Sequence, residues 1–543
     1  RVSVGVTDSA WGSGAVLVRY IRSLRRGAVE RFLPDQLLNY VLENVVGYDL
    51  NPLAVLTART NYLLAIADLL SYARGRVEIP IYLADSIMIE RSSQITGDVY
   101  ILRSVVGEFQ IPRNIVEKGM LPEVLAEVHQ ALRNKYSSKD FSDRIRYMFK
   151  ELDENDINIL VGLYEKLFKL EEEGKDEVWI SVLRNAFAPI LKGKFDYVVG
   201  NPPWVNWENL PESYREISKG LWQKYGLLEI KGKTGLGKVK RDLAKLFLVR
   251  SFDMYIRENG KLGFLLPFTV FKVQAGAGFR IFLARKTRIY VVHDLVTLYP
   301  FEGAVNRTAA IVVEKVCDLS KIDENKCPQV GEVFRNNING VRHVIWVNEL
   351  ERPIPTDMSL EEVLKRTKRF EAMILPILPN DPASSWMQVM PSVAGLIRKL
   401  ISGTQYYEAH AGVYTGLNQV YYIRVLDKLP GSMLRITNPP EPGQKKKVKQ
   451  VETVIEPDLV YPLVRGEDVK RWYVAFKDRY IIIPHDPSAG KPLTESTLKI
   501  KMPLTYNYLN TYRSELESRS IHKLWGKGSP FYSVYDIGSY TFA

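Results

Sequence analysis

From Val2 to about Lys315, short runs of β-branched and apolar residues alternate with stretches whose apolar positions recur every three to four residues. The first kind predicts strands and the second amphipathic helices. Their regular alternation is the mark of a parallel sheet covered by helices on both faces. The predicted strands are Val2–Val6, Val45–Asp49, Ile79–Ala84, Tyr197–Gly200, Lys261–Leu266, Ile289–Leu295 and Ala309–Glu314. Between Asp85 and Phe195, roughly a hundred residues of charged, mostly helical sequence stand where a short crossover is usual, so an inserted helical subdomain is expected at about 86–195.

After Val330 the periodicity weakens. Pro353, Pro355, Pro376, Pro379 and Pro382 mark 331–387 as a linker or irregular connection. A second, mixed α/β domain is expected over 388–543, with strand-like aromatic segments at Val420–Ile423, Trp472–Val474 and Tyr480–Ile483. The run Pro439–Gln450, PPEPGQKKKVKQ, is polar and basic and predicts a mobile loop. The fold class is thus α/β, with a Rossmann-like sheet over 1–330 and a smaller C-terminal domain.

Composition changes this picture in three respects. With 46% hydrophobic and 25% charged residues, the chain of 543 residues is globular rather than disordered. A net charge of +12 favours a phosphate-bearing partner. Cys317 and Cys327 are too few for a secreted disulfide framework and lie near no His or Cys at zinc-ligand spacing, so a cytoplasmic protein without a metal is expected. No apolar run approaches the ~20 residues of a membrane helix. The chain opens within an alternating strand without Met and closes in mid-pattern, so both ends are expected to continue.

The chemistry gathers where strands end. Val4–Val6 leads into Thr7-Asp8-Ser-Ala10-Trp-Gly12-Ser-Gly14, a carboxylate followed by a glycine-rich turn into the helix Val16–Leu24; glycines admit a ligand close to the backbone, and the helix dipole adds to the attraction. The second strand ends in Asp49-Leu50 and the third in Asp85-Ser86. One Asp before a helix is an ordinary cap, whereas three in series at the carboxyl edge of one sheet indicate a nucleoside site. The stretch KFDYVVGNPPWVNW then runs an apolar strand into Asn201-Pro202-Pro203-Trp204. The prolines fix the backbone there, so the Asn amide, a carbonyl and an indole are held in one rigid arrangement.

These segments resemble the class I S-adenosylmethionine-dependent methyltransferases, and the tetrapeptide narrows the resemblance to the N6-adenine type. Asp8-Ser-Ala-Trp-Gly-Ser-Gly14 is similar to that family's D-P-A-C-G-S-G cofactor loop, with Ser9 and Trp11 as departures. The resemblance implies S-adenosylmethionine as cofactor, held by Asp8, Ala10, Gly12, Gly14, Asp49, Leu50, Asp85, Ser86 and Asn201. It implies Asn201, Pro202, Pro203 and Trp204 as the catalytic loop, and Trp204 with Phe301 (Tyr299 as the alternative) as the aromatics that stack on a flipped base. The segments 242–247 and 259–267 resemble the motifs that follow the catalytic loop.

The C-terminal stretches 408–421 and 461–471 look like the target-recognition domains of type IIG restriction–modification enzymes and related phage-defence methyltransferases. Lys233, Lys238, Lys445, Lys446, Lys447, Lys470 and Arg471 are then expected to contact the phosphates of double-stranded DNA. The resemblance further implies a prokaryotic cytoplasmic protein whose nuclease, if any, is a domain or subunit outside this chain. N4-cytosine methylation and a non-catalytic DNA-specificity subunit are the alternatives. The run 232–239, GKTGLGKV, lacks the Ser or Thr of a phosphate loop and is expected to be a basic loop.

Overall fold

The central strands are apolar on both faces because helices cover both sides of the sheet they form. The computed structural model describes residues 6–8, 14–28, 32–85, 87–94, 97–104, 106–173, 178–227, 242–301, 307–319, 327–349, 354–355, 358–403, 406, 410–440, 448–520, 522 and 528–542. They fall into two compact units, Arg1–Gly403 and Thr404–Ala543.

In the first unit, β1 (Val6–Asp8), β2 (Val45–Asp49) and β3 (Ile81–Leu83) run parallel on one side of the sheet. A separate antiparallel sheet of β4 (Ile89–Gln94), β5 (Gly97–Ser104) and β6 (Gly107–Pro112) comes next in the chain. The main sheet resumes with β7 (Phe195–Gly200), β8 (Ile256–Pro267), β9 (Arg288–Asp294), β10 (Thr308–Glu314), β11 (Val341–Asn348), β12 (Thr367–Pro376) and β13 (Trp386–Val389). Its order among the described residues is β13-β12-β11-β9-β10-β8-β7-β1-β2-β3. β10 is antiparallel to both its neighbours, so the sheet is mixed rather than wholly parallel.

Most predicted strands are present with shifted ends. Of Val2–Val6 only Val6 lies within the described residues, and β8 extends the predicted Lys261–Leu266 in both directions. In β8 the bend at Asn259-Gly260 explains the sequence: Asn259 has φ 62°, and a Cβ on Gly260 would meet the Arg257 and Asp196 carbonyl oxygens at 3.0 Å.

Two expectations change. The insertion is not purely helical, since among the described residues β4–β6 precede five helices, Arg113–Glu117, Leu121–Arg133, Ser138–Met148, Glu154–Glu172 and Val178–Leu191. It has a core of its own, with Phe141 stacked on Tyr164 at 4.5 Å. The alternation of the strand-forming residues 89–112 was hidden among charges. The stretch 331–387 is no linker either: it carries β11, β12 and the start of β13, and lengthens the main sheet. Among its described prolines, Pro376 closes β12 and Pro379 and Pro382 lie in the turn that follows, where a missing N–H is harmless. The boundary of the second unit accordingly falls at Thr404 rather than 388.

Against the expectation of no such run, helix Pro52–Ile66 and the turn Ala67–Tyr72 together form the one segment, among the described residues, long and apolar enough to cross a membrane. It flanks the sheet: Tyr62 is buried and its hydroxyl donates to the Val41 and Val45 carbonyls, while Arg59 Nε donates to Ile81 O. Cys317 and Cys327 are joined as a disulfide with Cα atoms 6.6 Å apart.

The second unit is built on a five-stranded antiparallel sheet. It contains β14 (Tyr422–Lys428), β15 (Leu434–Thr437), β16 (Glu452–Ile455), β17 (Val460–Pro462) and β20 (Tyr480–Ile482), in the order β16-β15-β14-β20-β17. Two short strands, β18 (Val469–Lys470) and β19 (Tyr473–Val474), pair separately between β17 and β20. Buried Glu456 accepts hydrogen bonds from Leu504 N, Thr505 N and Thr505 Oγ1, and so fixes the start of helix Pro503–Asn510 against the sheet.

Candidate active site

Strand order reverses between β1 and β7: chain progression runs outward through β2 and β3 on one side and through β7 and β8 on the other. Such a switch point opens a crevice outside the carboxyl ends of the strands, where open α/β sheets take their ligands. Asp8 stands there in register with Gly47 of β2 and Val199 of β7, so the ends of β1, β2 and β7 lie side by side. Gly14 begins helix Ala15–Ala28 with φ 77°, a conformation that strains any residue with a Cβ. Ala10, Gly12 and Ser86 lie outside the described residues.

Asp49 ends β2, and its Oδ1 accepts the Asn51 N–H at 2.7 Å. The cap of helix Pro52–Ile66 is Asn51, whose Oδ1 accepts from Leu53 N at 2.9 Å. The capping role weighed for Asp49 is therefore filled by its neighbour. Asp85 follows β3; its Oδ1 accepts from Ile87 N at 3.0 Å and its Oδ2 from the Tyr214 hydroxyl at 3.1 Å. Burial pushes the Asp85 carboxyl above the usual range, opposed by these two hydrogen bonds and by the nearby Arg250 charge. Arg250 is itself buried, donating to Ile87 O and to the Tyr225 hydroxyl, which in turn donates to Asp253.

β7 delivers Asn201 to the same crevice. The carboxamide is exposed and makes no hydrogen bond among the described residues. Trp204 is half-buried with its Nε1 enclosed and unbonded, and its ring meets Phe301 edge-on at 5.5 Å and 87°. Tyr299, the alternative aromatic, is 65% exposed. Beyond the tetrapeptide the chain is pinned to helix Leu243–Met254, where Leu243 N donates to Val205 O at 2.9 Å and Asn206 forms a bridge with Asp242.

Asp49, Leu50, Asp85, Asn201 and Pro203 converge on one cavity of about 610 Å³, closed by Tyr214, Leu243 and Phe247 among others. The donor set fits S-adenosylmethionine. A carboxylate at the end of β2 suits a ribose diol, a buried carboxylate suits an exocyclic amine, and Leu50, Leu243 and Phe247 give apolar walls for a purine. Tyr214, Arg250 and Asn51 were not found from the sequence. Tyr214 lies in helix Glu212–Lys224, whose pattern is that of any surface helix, so no local signal marked it.

Of the expected phosphate contacts, Lys470 and Arg471 lie exposed in the second unit on the β18–β19 hairpin, while Lys233, Lys238, Lys445, Lys446 and Lys447, like the loop 232–239, lie outside the described residues. No group of His, Cys, Asp and Glu among the described residues has the form of a metal site.

The sub-order β3-β2-β1-β7-β8-β10-β9, with β10 reversed and a cavity at its switch point, is the arrangement of the class I methyltransferase fold. Residues 43–301 match the family model described as Eco57I restriction-modification methylase, so this part of the chain is similar to that family. The Type II methyltransferase M.BstVI of Geobacillus stearothermophilus is 21% identical over 350 residues, covering 61% of this chain and 50% of that protein. The chain thus spans about half the length of the curated relative it matches. Solved structures similar to it include the Type IIL restriction-modification enzyme MmeI in complex with DNA (11% identity, TM-score 0.42, 98% of this chain and 51% of that one). Another is the ATP-dependent Type ISP enzyme LlaBIII bound to DNA (13% identity, TM-score 0.39, 78% and 23%).

Proposed function

We propose that this chain is the methylating and target-recognising part of a prokaryotic, cytoplasmic restriction–modification or phage-defence enzyme. In this reading it transfers a methyl group from S-adenosylmethionine to the N6 amine of an adenine turned out of double-stranded DNA. The observation that carries the reading is the uncommitted Asn201 carboxamide on the wall of the cavity that also holds Asp49 and Asp85.

An adenine amine shares its lone pair with the ring and is a poor nucleophile. Asn201 Oδ1 and the Pro202 carbonyl oxygen, accepting its two N–H groups, draw the nitrogen towards a tetrahedral geometry and localise that lone pair. Consecutive prolines hold the carbonyl in place before the base arrives. Trp204, braced edge-on by Phe301, offers a face for the base to stack on. Bound S-adenosylmethionine supplies the electrophilic methyl group. The amine gives up its proton after methylation, so activation needs no general base. Cleavage of DNA, where it occurs, belongs to a nuclease domain or subunit outside this chain.

The test is incubation of the wild type and Asn201→Ala with labelled S-adenosylmethionine and unmethylated plasmid, followed by nucleoside analysis. Label in N6-methyladenosine that vanishes in the variant supports the reading. Absence of label from a protein that binds both cofactor and plasmid refutes it.

A further inference from the structure

The second unit presents an arm whose construction none of the motifs above explains. β17 and β20 pair through Pro462 and Tyr480, and the chain between them continues outward as a narrower hairpin, β18–β19. Its neck is rigid. Leu463 N donates to Arg479 O and Ala475 N to Asp468 O, both at 2.8 Å. Asp468 is fully buried; it accepts Arg465 N at 2.9 Å and binds Arg479 Nη2 through both oxygens at 2.7 and 2.9 Å.

The tip has the opposite character. Trp472 is 94% exposed and Tyr473 64%, and between the short strands Trp472 adopts φ 77°. A bulky side chain does not choose the left-handed region, where Gly or Asn is the ordinary occupant. Both the solvation of the indole and the backbone conformation count against Trp at this position for folding alone, so the ring points to a use outside the fold. Lys470 and Arg471 directly precede it, exposed and without an ion-pair partner among the described residues. Cations that reach phosphates beside an aromatic that reaches bases suit a nucleic acid better than an apolar protein surface.

We propose that the Lys470–Tyr473 hairpin is a DNA wedge: Lys470 and Arg471 seat on phosphates of the duplex, and Trp472 enters a base step and unstacks it. This deepens and rests on the DNA-methylation reading above. The buried Asp468–Arg479 pair makes the arm stiff, so the indole is delivered without ordering a loop on binding.

The experiment uses the full chain, unmethylated plasmid and S-adenosylmethionine, with cofactor binding by calorimetry and thermal unfolding of the full chain as the folding controls. Wild type, Trp472→Gly, Trp472→Phe and the double variant Lys470→Ala/Arg471→Ala are compared for methylation rate, salt dependence of binding and permanganate reactivity of unstacked thymines. Trp472→Gly, which also suits the backbone, is expected to lose the reactive thymines and about 10-fold in rate, while Trp472→Phe keeps both. The double variant is expected to bind more weakly with a salt slope smaller by about 2. If the wild type methylates plasmid and Trp472→Gly matches it in rate and permanganate pattern, the wedge is refuted and the methylation reading stands. A wild type that binds cofactor but neither binds nor methylates plasmid refutes both.

Discussion

At Asn201 the proposed chemistry rests on one side-chain oxygen. Replacement by Ala is expected to lower methyl transfer about 10²- to 10³-fold, the loss typical of a single positioned polar group, as read from single-turnover label transfer. Tyr214 acts through Asp85. Tyr214→Phe removes a donor that favours the carboxylate, so the already raised carboxyl rises further. If Asp85 accepts the cofactor's amine, affinity falls as the carboxyl takes up a proton; the variant, lacking one hydrogen bond to it, is expected to bind the cofactor about 10-fold more weakly and to begin losing affinity at a higher pH than the wild type, by calorimetry.

Asp242 caps helix Leu243–Met254 through Ala244 N, and burial pushes its carboxyl up to about 6. A raised acid stabilises the fold fully below the ordinary carboxylate range and loses that contribution as pH rises through about 6. Asp242→Asn keeps a capping oxygen and carries no charge. It is expected to be more stable than the wild type by on the order of 2–3 kcal/mol near neutrality and equal to it in acid, as read from urea midpoints.

At the scale of elements, the added strands brace the turn that leads to Phe301. Thr297 Oγ1 donates to Trp346 O of β11 at 2.7 Å and accepts Asn348 N at 3.1 Å, while Gln388 of β13 donates to Asp294 at 2.7 Å. Thr297→Val should loosen that turn. Its expected signature is a fall of about 5- to 10-fold in kcat/KM for DNA, with unchanged cofactor affinity, in steady-state methylation assays, since small misplacements of a positioning group carry costs of this order or greater. The segment 331–387 was read as a connection because prolines and a weak period look alike in a linker and at the ends of short strands. Which of the two holds depends on whether a neighbouring strand edge is available, and β9 supplies one.

For the whole molecule, the net charge of +12 bears on association rather than on fold. Plasmid affinity is therefore expected to fall steeply and linearly in log–log form as salt rises, by filter binding. The units have separate cores, Tyr421, Ile436, Ile482, Leu509 and Tyr532 belonging to that of the second. The isolated segment 404–543 should accordingly show a single cooperative thermal transition of its own.

The sequence by itself determined the class of the fold and the ends of β2, β3 and β7, because a carboxylate or an amide placed directly after an apolar strand is a local signal that survives folding unchanged. Asp49, Asp85 and the Asn201 tetrapeptide were legible for that reason. Tyr214, Arg250 and the brace at Thr297 were not, since each owes its position to contacts tens of residues or more away, and a helical tyrosine or arginine looks the same whether it meets solvent or a buried carboxylate. Trp472 was visible as part of a strand-like run. Only the tertiary structure, by burying Asp468 at the neck of the hairpin and leaving the indole in solvent on a left-handed backbone, separated it from the aromatics that fill the core.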